Sequence, residues 1–140
     1  MAQLTANQVN TYDCFPSAFS SVPVTDNVVI YKGSAVGSLS GYGRQLVAND
    51  VFLGFAEQHI DNTVTNHASG FLSVPVVTEG IIQCAIASAA VGDINKAVYL
   101  SDGNTFTYTS SGNTLIGRVF RFVSAGIVMV KFNINTQAAS

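Results

Sequence analysis

Near its C-terminus the chain reads Leu115-Ile-Gly-Arg-Val-Phe-Arg-Phe-Val123, then Ser124-Ala-Gly126, then Ile127-Val-Met-Val-Lys-Phe-Asn133. Neighbouring side chains of a strand point to opposite faces. The last segment therefore has an apolar face of Val128, Val130, Phe132 and Ile134, and a mixed face of Met129, Lys131 and Asn133. Glycine at position 126 can take the positive φ of a tight turn. The pattern predicts a β-hairpin.

The two arginines of this hairpin are predicted to lie apart. Arg118 and Arg121 are three positions apart in the first strand. In a regular strand, residues three apart point to opposite faces. The sequence therefore predicts that these two side chains do not form one basic patch.

The same strand pattern extends upstream from the hairpin. Short runs of β-branched and aromatic residues alternate with Gly, Asn, Asp and Ser, and no run keeps helical periodicity for three turns. We expect a hairpin turn at Thr78-Glu-Gly80, and an edge or bulged strand at Pro75 because proline has no N–H. The predicted fold is all-β: one small domain, a β-barrel or β-sandwich of about eight short strands.

The first 23 residues differ from the rest of the chain. They show no sustained periodicity, and prolines at positions 16 and 23 disfavour a helix. We interpret residues 1–23 as an extended N-terminal arm and residues 24–140 as the β domain; a disordered tail is the alternative. The arm carries apolar residues that we predict to be contact residues: Leu4, Val9, Tyr12, Phe15 and Phe19.

The composition favours a subunit of an assembly. Only 10% of the 140 residues are charged and 48% are hydrophobic, whereas an average soluble domain has about 25% charged residues. A surface of hydroxyls, amides and apolar atoms is less costly to desolvate than one of ions. Such a surface associates readily.

The charges and apolar runs exclude several classes of partner. The net charge is −2 and the six Lys and Arg show no cluster along the chain, so direct binding of nucleic acid is not expected. No apolar run approaches the roughly 20 residues of a membrane helix, and residues 1–20 show no secretory signal. We expect a soluble protein made in the cytoplasm.

The sequence offers little for catalysis or metal binding. His59, Asp61 and His67 are a conceivable metal-binding trio, but their polar loop favours solvated surface histidines. Gly37-Ser-Leu-Ser-Gly41 lacks the strand–turn–helix context of a nucleophile elbow. We predict that Cys84 is a buried thiol, and a disulfide with Cys14 stays open. No enzyme activity and no cofactor are expected.

One ordered set of segments resembles a known family. Arg44-Gln-Leu-Val-Ala-Asn-Asp-Val-Phe-Leu-Gly-Phe-Ala-Glu57 precedes a polar loop at Asp61-Asn62. Ala97-Val-Tyr-Leu-Ser-Asp-Gly-Asn-Thr-Phe-Thr-Tyr-Thr109 and Leu115-Ile-Gly-Arg-Val119 follow. This order, over about residues 27–133, is similar to that of the capsid decoration, or cement, proteins of tailed bacteriophages.

The resemblance implies a structural role with no chemical step. A decoration protein of this kind binds the outer surface of the mature phage head, as a homotrimer contacting the major capsid protein, and stabilises the shell against the pressure of packaged DNA. The resemblance does not cover residues 1–23. A phage fibre or receptor-binding module that contacts a host surface is the alternative function.

Overall fold

A computed structural model shows an all-β protein, as the sequence predicts. Strands account for 54% of the chain. The structure describes residues 3–64 and 68–134. For residues 13–18 it describes the backbone but not the side chains. In these ranges the one complete helical element is a 3₁₀ turn, Val91–Asp93, and Ile134 also has 3₁₀ geometry. The described part has eleven strands rather than about eight, and three of the eleven are only two or three residues long.

Nine strands form one antiparallel sheet, and two short strands form a second. The strands are β1 Tyr12–Pro23, β2 Val29–Ile30, β3 Ala35–Leu39, β4 Tyr42–Gln45, β5 Val51–Ala56, β6 Ile60–Asp61, β7 Ser73–Ala85, β8 Ala97–Asp102, β9 Thr105–Thr107, β10 Thr114–Ser124 and β11 Ile127–Asn133.

Strand β7 is the centre of the main sheet. One edge pairs with β1, and the other edge pairs first with β5, at Val76 and Val77, and then with β11, from Glu79 onward. The predicted hairpin at Thr78-Glu-Gly80 is therefore wrong. These polar residues lie at the point where one continuous strand changes its neighbour. Pro75 also lies in a central strand, paired with Ser21 without a register shift on one side and bonded to the Glu57 N–H on the other, so the prediction of an edge or bulged strand there is wrong.

The first closure of the sheet encloses the smaller core. Val24, just after β1, forms a parallel bridge with Gly43 of β4, which joins β1, β7, β5, β3 and β4 into a ring. Its buried side chains are Val22, Val24, Ile30, Val36, Ala56, Val74 and Val76. Burial of this apolar surface contributes on the order of 25 cal/mol per Å².

The second closure encloses the larger core. Val47, after β4, bridges Asp102 at the end of β8, so the strands from β4 through β7, β11 and β10 to β8 form a second ring. The rings of Phe52, Phe55 and Phe132 meet edge to face inside it, with centroids 4.8–6.2 Å apart. Such aromatic contacts add about 0.5–1.5 kcal/mol each beyond burial.

The buried thiol predicted at position 84 is confirmed. Cys84 is a free cysteine in the larger core, and its burial raises the pKa of the thiol to about 12. The thiolate is the reactive form of cysteine. Cys84 is therefore inert in the folded protein.

The predicted C-terminal hairpin is present as β10 and β11, but the register of β10 shifts at three places, the last between Phe122 and Ser124 beside the turn. Leu115 and Gly117 pair with consecutive residues of β8, and Val119 and Arg121 pair with consecutive residues of β11. The second bulge adds Phe120 to the strand, and this extra residue shifts the alternation of faces. Arg118 pairs with Lys131, and Arg121 pairs with Met129, two residues away. Both arginines therefore lie on the same face, and the prediction of opposite faces is wrong.

Gly117 allows the close approach of β10 and β11. A Cβ atom at this position would overlap the carbonyl oxygen of Lys131 and lie 2.9 Å from the Cα of Phe132. A side chain here would push the strands apart beside the larger core. The glycine is a packing requirement rather than a turn signal.

An ion pair fixes the connection between β4 and β5. The Arg44 guanidinium donates hydrogen bonds to both Asp50 carboxylate oxygens, at 2.9 and 3.1 Å, and the Val47 N–H donates to the same carboxylate at 3.0 Å. Hydrogen bonding to Asp50 raises the pKa of Arg44. The Asp50 carbonyl also accepts a 2.7 Å bond from the buried Thr114 hydroxyl. Asp50 thus ties the connection to β10.

The predicted polar loop between residues 61 and 70 has a buried anchor. Asn62 is fully buried, and its amide group donates to the carbonyl oxygens of Thr25 at 2.9 Å and Ala68 at 3.3 Å. Val64 and Phe71 remain exposed around it. The described parts of the loop, residues 61–64 and 68–70, are therefore anchored from inside, although the sequence is typical of a solvated segment.

The predicted arm and the observed strands overlap. Residues 12–23 are strand β1, and Val22 is part of the smaller core. Residues 3–11 run outside the strands. The arm boundary after residue 23 stays a prediction.

We expect Gly117→Ala to lower the free energy of unfolding by about 1–3 kcal/mol, because the added methyl overlaps the β11 backbone. Denaturant titration followed by circular dichroism measures the change. Gly92→Ala is the control, since a Cβ at Gly92 meets no atom within 4 Å. Equal stability of the two variants would contradict this account of the hairpin.

We expect Asp50→Asn to lower the free energy of unfolding by about 1–2 kcal/mol, because the charge-assisted bonds to Arg44 are weakened. Asp26→Asn removes the same charge from an exposed carboxylate that accepts one hydrogen bond, from the Ser69 hydroxyl. We expect Asp26→Asn to change the free energy of unfolding by no more than about 0.5 kcal/mol. An equal loss in both variants would show that the Arg44 pair does not fix the connection.

Candidate functional site

The first candidate surface is the N-terminal segment, residues 3–23. At its start, the Gln3 side chain donates to the Leu46 carbonyl at 2.8 Å and accepts from the Gly103 N–H at 2.7 Å. A Cβ at Gly103 would lie 2.5 Å from the Gln3 side-chain oxygen. The Gln3 side chain can approach the backbone of residue 103 this closely because that residue is a glycine.

Amide side chains continue this attachment along residues 7–10. Asn7 accepts from the Lys32 N–H at 3.0 Å, and Asn10 donates to the Gly33 carbonyl at 3.1 Å. The Gln8 N–H donates to the Lys32 carbonyl at 2.7 Å. Two cavities of about 200 and 220 Å³ lie beside Gln8 and Asn10. Residues 7–10 are therefore held by polar bonds and not by close apolar packing.

The five predicted contact residues have different environments. Tyr12 packs against the larger core, with its ring centroid 6.3 Å from that of Phe132, and burial raises its pKa to about 12. Val9 is 81% exposed and Phe19 is 57% exposed. Leu4 is partly buried, and its carbonyl accepts a 3.4 Å bond from Gln45. The side chain of Phe15 lies outside the described residues. Val9 and Phe19 are the exposed apolar positions of this set.

The second candidate surface is the outer face of the β10–β11 hairpin, which the sequence analysis missed. A cleft of about 390 Å³ lies there, and its lining includes Arg118, Phe120, Lys131 and Glu79. Phe120 is the bulged residue and is 47% exposed. Bulges bring neighbouring side chains to one side of a strand. We name this surface the basic cleft: Arg118, Phe120, Lys131 and Glu79, with Arg121 on the same face of the hairpin but outside the lining.

Of the three residues considered for metal binding, the structure describes His59 and Asp61, and each of these has another partner. His59 Nδ1 lies 3.1 Å from the Asn7 side-chain oxygen, and its ring stands edge-on to that of Tyr31. Asp61 accepts hydrogen bonds from Thr63, and His67 lies outside the described residues. Within residues 3–64 and 68–134, no group of three or more His, Cys, Asp or Glu is placed to hold a metal ion.

In the described residues, 3–64 and 68–134, no helix is long and apolar enough to cross a bilayer.

The comparisons with known proteins include a match to a solved structure. No protein-family model and no curated protein matches the chain. The structure is similar to that of a chain in a solved structure, the capsid of Myoviridae phage XM1, with a TM-score of 0.54 and 18% sequence identity. The match covers 95% of this chain and 92% of that chain. At this level of identity the similarity establishes a shared fold.

Proposed function

We propose that this chain is a capsid decoration protein. It binds the outer surface of the mature head of a tailed phage, contacts the major capsid protein as a homotrimer, and stabilises the shell against the pressure of packaged DNA. It performs no chemical reaction. The shared fold with a chain of a phage capsid, which extends over nearly the full length of both chains, is the observation that carries this proposal.

Stabilisation of a shell requires only binding. A protein that binds the expanded shell and not its precursor shifts the equilibrium toward the expanded state by mass action. Many equivalent copies on one particle multiply the effect. A chain with 10% charged residues is suited to such contacts, because little ion desolvation opposes them.

The exposed parts of the N-terminal segment supply a surface for the capsid subunit. Val9 and Phe19 expose apolar area that the domain itself does not cover. In the part of the chain that the structure describes, the β1 ladder is with β7, and β1 meets β4 at the bridge from Val24 to Gly43. Away from that bridge the other edge of β1 presents backbone N–H and C=O groups. A capsid strand can add to such an edge.

The proposal is tested by sedimentation with phage heads. Purified protein is mixed with expanded mature heads or with unexpanded proheads, and the pelleted fraction is measured. We expect saturable binding to mature heads and little binding to proheads. Binding to neither would overturn the proposal, and binding to host cells instead would favour the receptor-binding alternative.

We expect the double variant Val9→Ser, Phe19→Ser to bind mature heads at least about tenfold more weakly, because it removes exposed apolar contacts. Thermal unfolding should be unchanged, since neither side chain is buried. Deletion of residues 1–23 is a poorer test, because it removes β1 and Val22 with it.

The matched control is Val91→Ser, which removes an apolar side chain that is exposed far along the chain, in the 3₁₀ turn. It should bind heads like the unmodified protein. Equal binding by the double variant and the control would show that the N-terminal segment is not the capsid contact.

A further inference from the structure

The larger ring of the sheet closes at one short seam. The closing contact is the single bridge from Val47, after β4, to Asp102, at the end of β8. The other neighbouring strands of this ring are joined by ladders of two or more residue pairs. Local opening is favoured where few contacts must be broken, so the seam is the place at which this ring is most easily opened.

The Gln3 side chain spans the seam. It donates to the carbonyl oxygen of Leu46 at 2.8 Å, and it accepts from the N–H of Gly103 at 2.7 Å. Leu46 directly precedes Val47, and Gly103 directly follows Asp102. A glutamine amide carries both a donor and an acceptor, and Gln3 uses one on each side of the closing bridge.

The rest of residues 3–10 is attached without a core side chain. Neither apolar core includes a residue of this range, and Val9 is 81% exposed. Asn7, Gln8 and Asn10 are bonded to the backbone at positions 32 and 33. Release of the range exchanges these hydrogen bonds for bonds to water, and little apolar burial opposes it.

A cavity of about 200 Å³ lies between this range and the larger core. Its lining includes Gln8 and Asn10 from the N-terminal segment and Ile82, Cys84 and Phe106 from the sheet. Cys84 is only 6% exposed while these residues are in place. Removal of the segment would therefore open the cavity to solvent and give reagents access to the thiol.

The attachment changes character at Thr11. The Thr11 carbonyl oxygen accepts a 2.7 Å bond from the Gln83 N–H of β7. The next residue, Tyr12, begins β1 and packs against the larger core. Residues 3–10 can therefore leave the domain without breaking the ladder between β1 and β7.

We propose that residues 3–10 form a detachable clasp. The docked clasp holds the seam closed through Gln3, and it lifts as one unit while the nine-stranded sheet stays folded. Since Val9 lies between Gln8 and Asn10, a partner that binds Val9 only in the docked position shifts the clasp toward the closed state. The clasp is a property of the free protein and does not depend on the proposed function.

The first experiment measures the accessibility of Cys84. In a Cys14→Ser background Cys84 is the one thiol of the sequence, and its alkylation by iodoacetamide is followed by mass spectrometry. We expect Gln3→Ala to raise the alkylation rate about tenfold, because the loss of its hydrogen bonds across the seam increases the open population. Gln58→Ala is the matched control and should leave the rate unchanged, since Gln58 is exposed and lies outside the clasp.

The second experiment tests whether the clasp lifts as a unit, in protein that keeps both cysteines. Hydrogen exchange of single amides is measured by NMR with and without Gln3→Ala. The Lys32 N–H donates to Asn7 and not to Gln3, so a purely local loss at Gln3 would not alter its exchange. We expect exchange at Lys32 to become about tenfold faster, while the amides of β11 keep their rates.

Three results would overturn the clasp. The first is equal alkylation of Cys84 in Gln3→Ala and Gln58→Ala, and the second is unchanged exchange at Lys32 in Gln3→Ala. The third is an equal acceleration in β11, which would mean that the whole domain unfolds rather than the clasp alone. Failure of the decoration proposal gives a different result, because it would leave all of these rates as expected in a protein that does not bind heads.

Discussion

The middle of the main sheet, formed by the start of β3, the end of β5 and the first half of β7, is buried on both faces, and the rest of the fold follows from this constraint. Val76 and Val77 are neighbours in β7, yet Val76 lies in the smaller core and Val77 in the larger one. A strand buried on both faces has no water to satisfy its backbone, so both edges must be hydrogen-bonded. The partners β1, β5 and β11 meet this need for β7. The two closures of the sheet then complete both cores.

The local parts of this fold were predictable, and the long-range parts were not. The β10–β11 hairpin follows from alternation around one turn, which is local information. Thr78-Glu-Gly80 has the composition of a turn, but it occupies the place where β7 passes from β5 to β11, and those partners are distant in sequence. The bulge at Phe120 is also invisible in the sequence. One added residue reverses the predicted faces and brings Arg118 and Arg121 together.

The N-terminal segment also makes long-range contacts that the sequence did not predict. Its apolar residues suggested the contacts, but the amides of Gln3, Asn7 and Asn10 hold its first part to the domain. An amide side chain gives no periodic signal, because its partner is any backbone group within reach. Of the predicted residues whose side chains the structure describes, Tyr12 is directed to the larger core. The exposure of Val9 and Phe19 is a result of the structure, and it selects these two among the described side chains of the set.

The two candidate surfaces are neighbours across β7. Glu79, at the edge of the basic cleft, is paired on one side with Ala18 of β1 and on the other with Asn133 of β11. A shell carries many equivalent copies of a decoration protein, so the contacts of their N-terminal segments would add by avidity. Each contact can then be weak, as contacts through two exposed apolar side chains per copy would be.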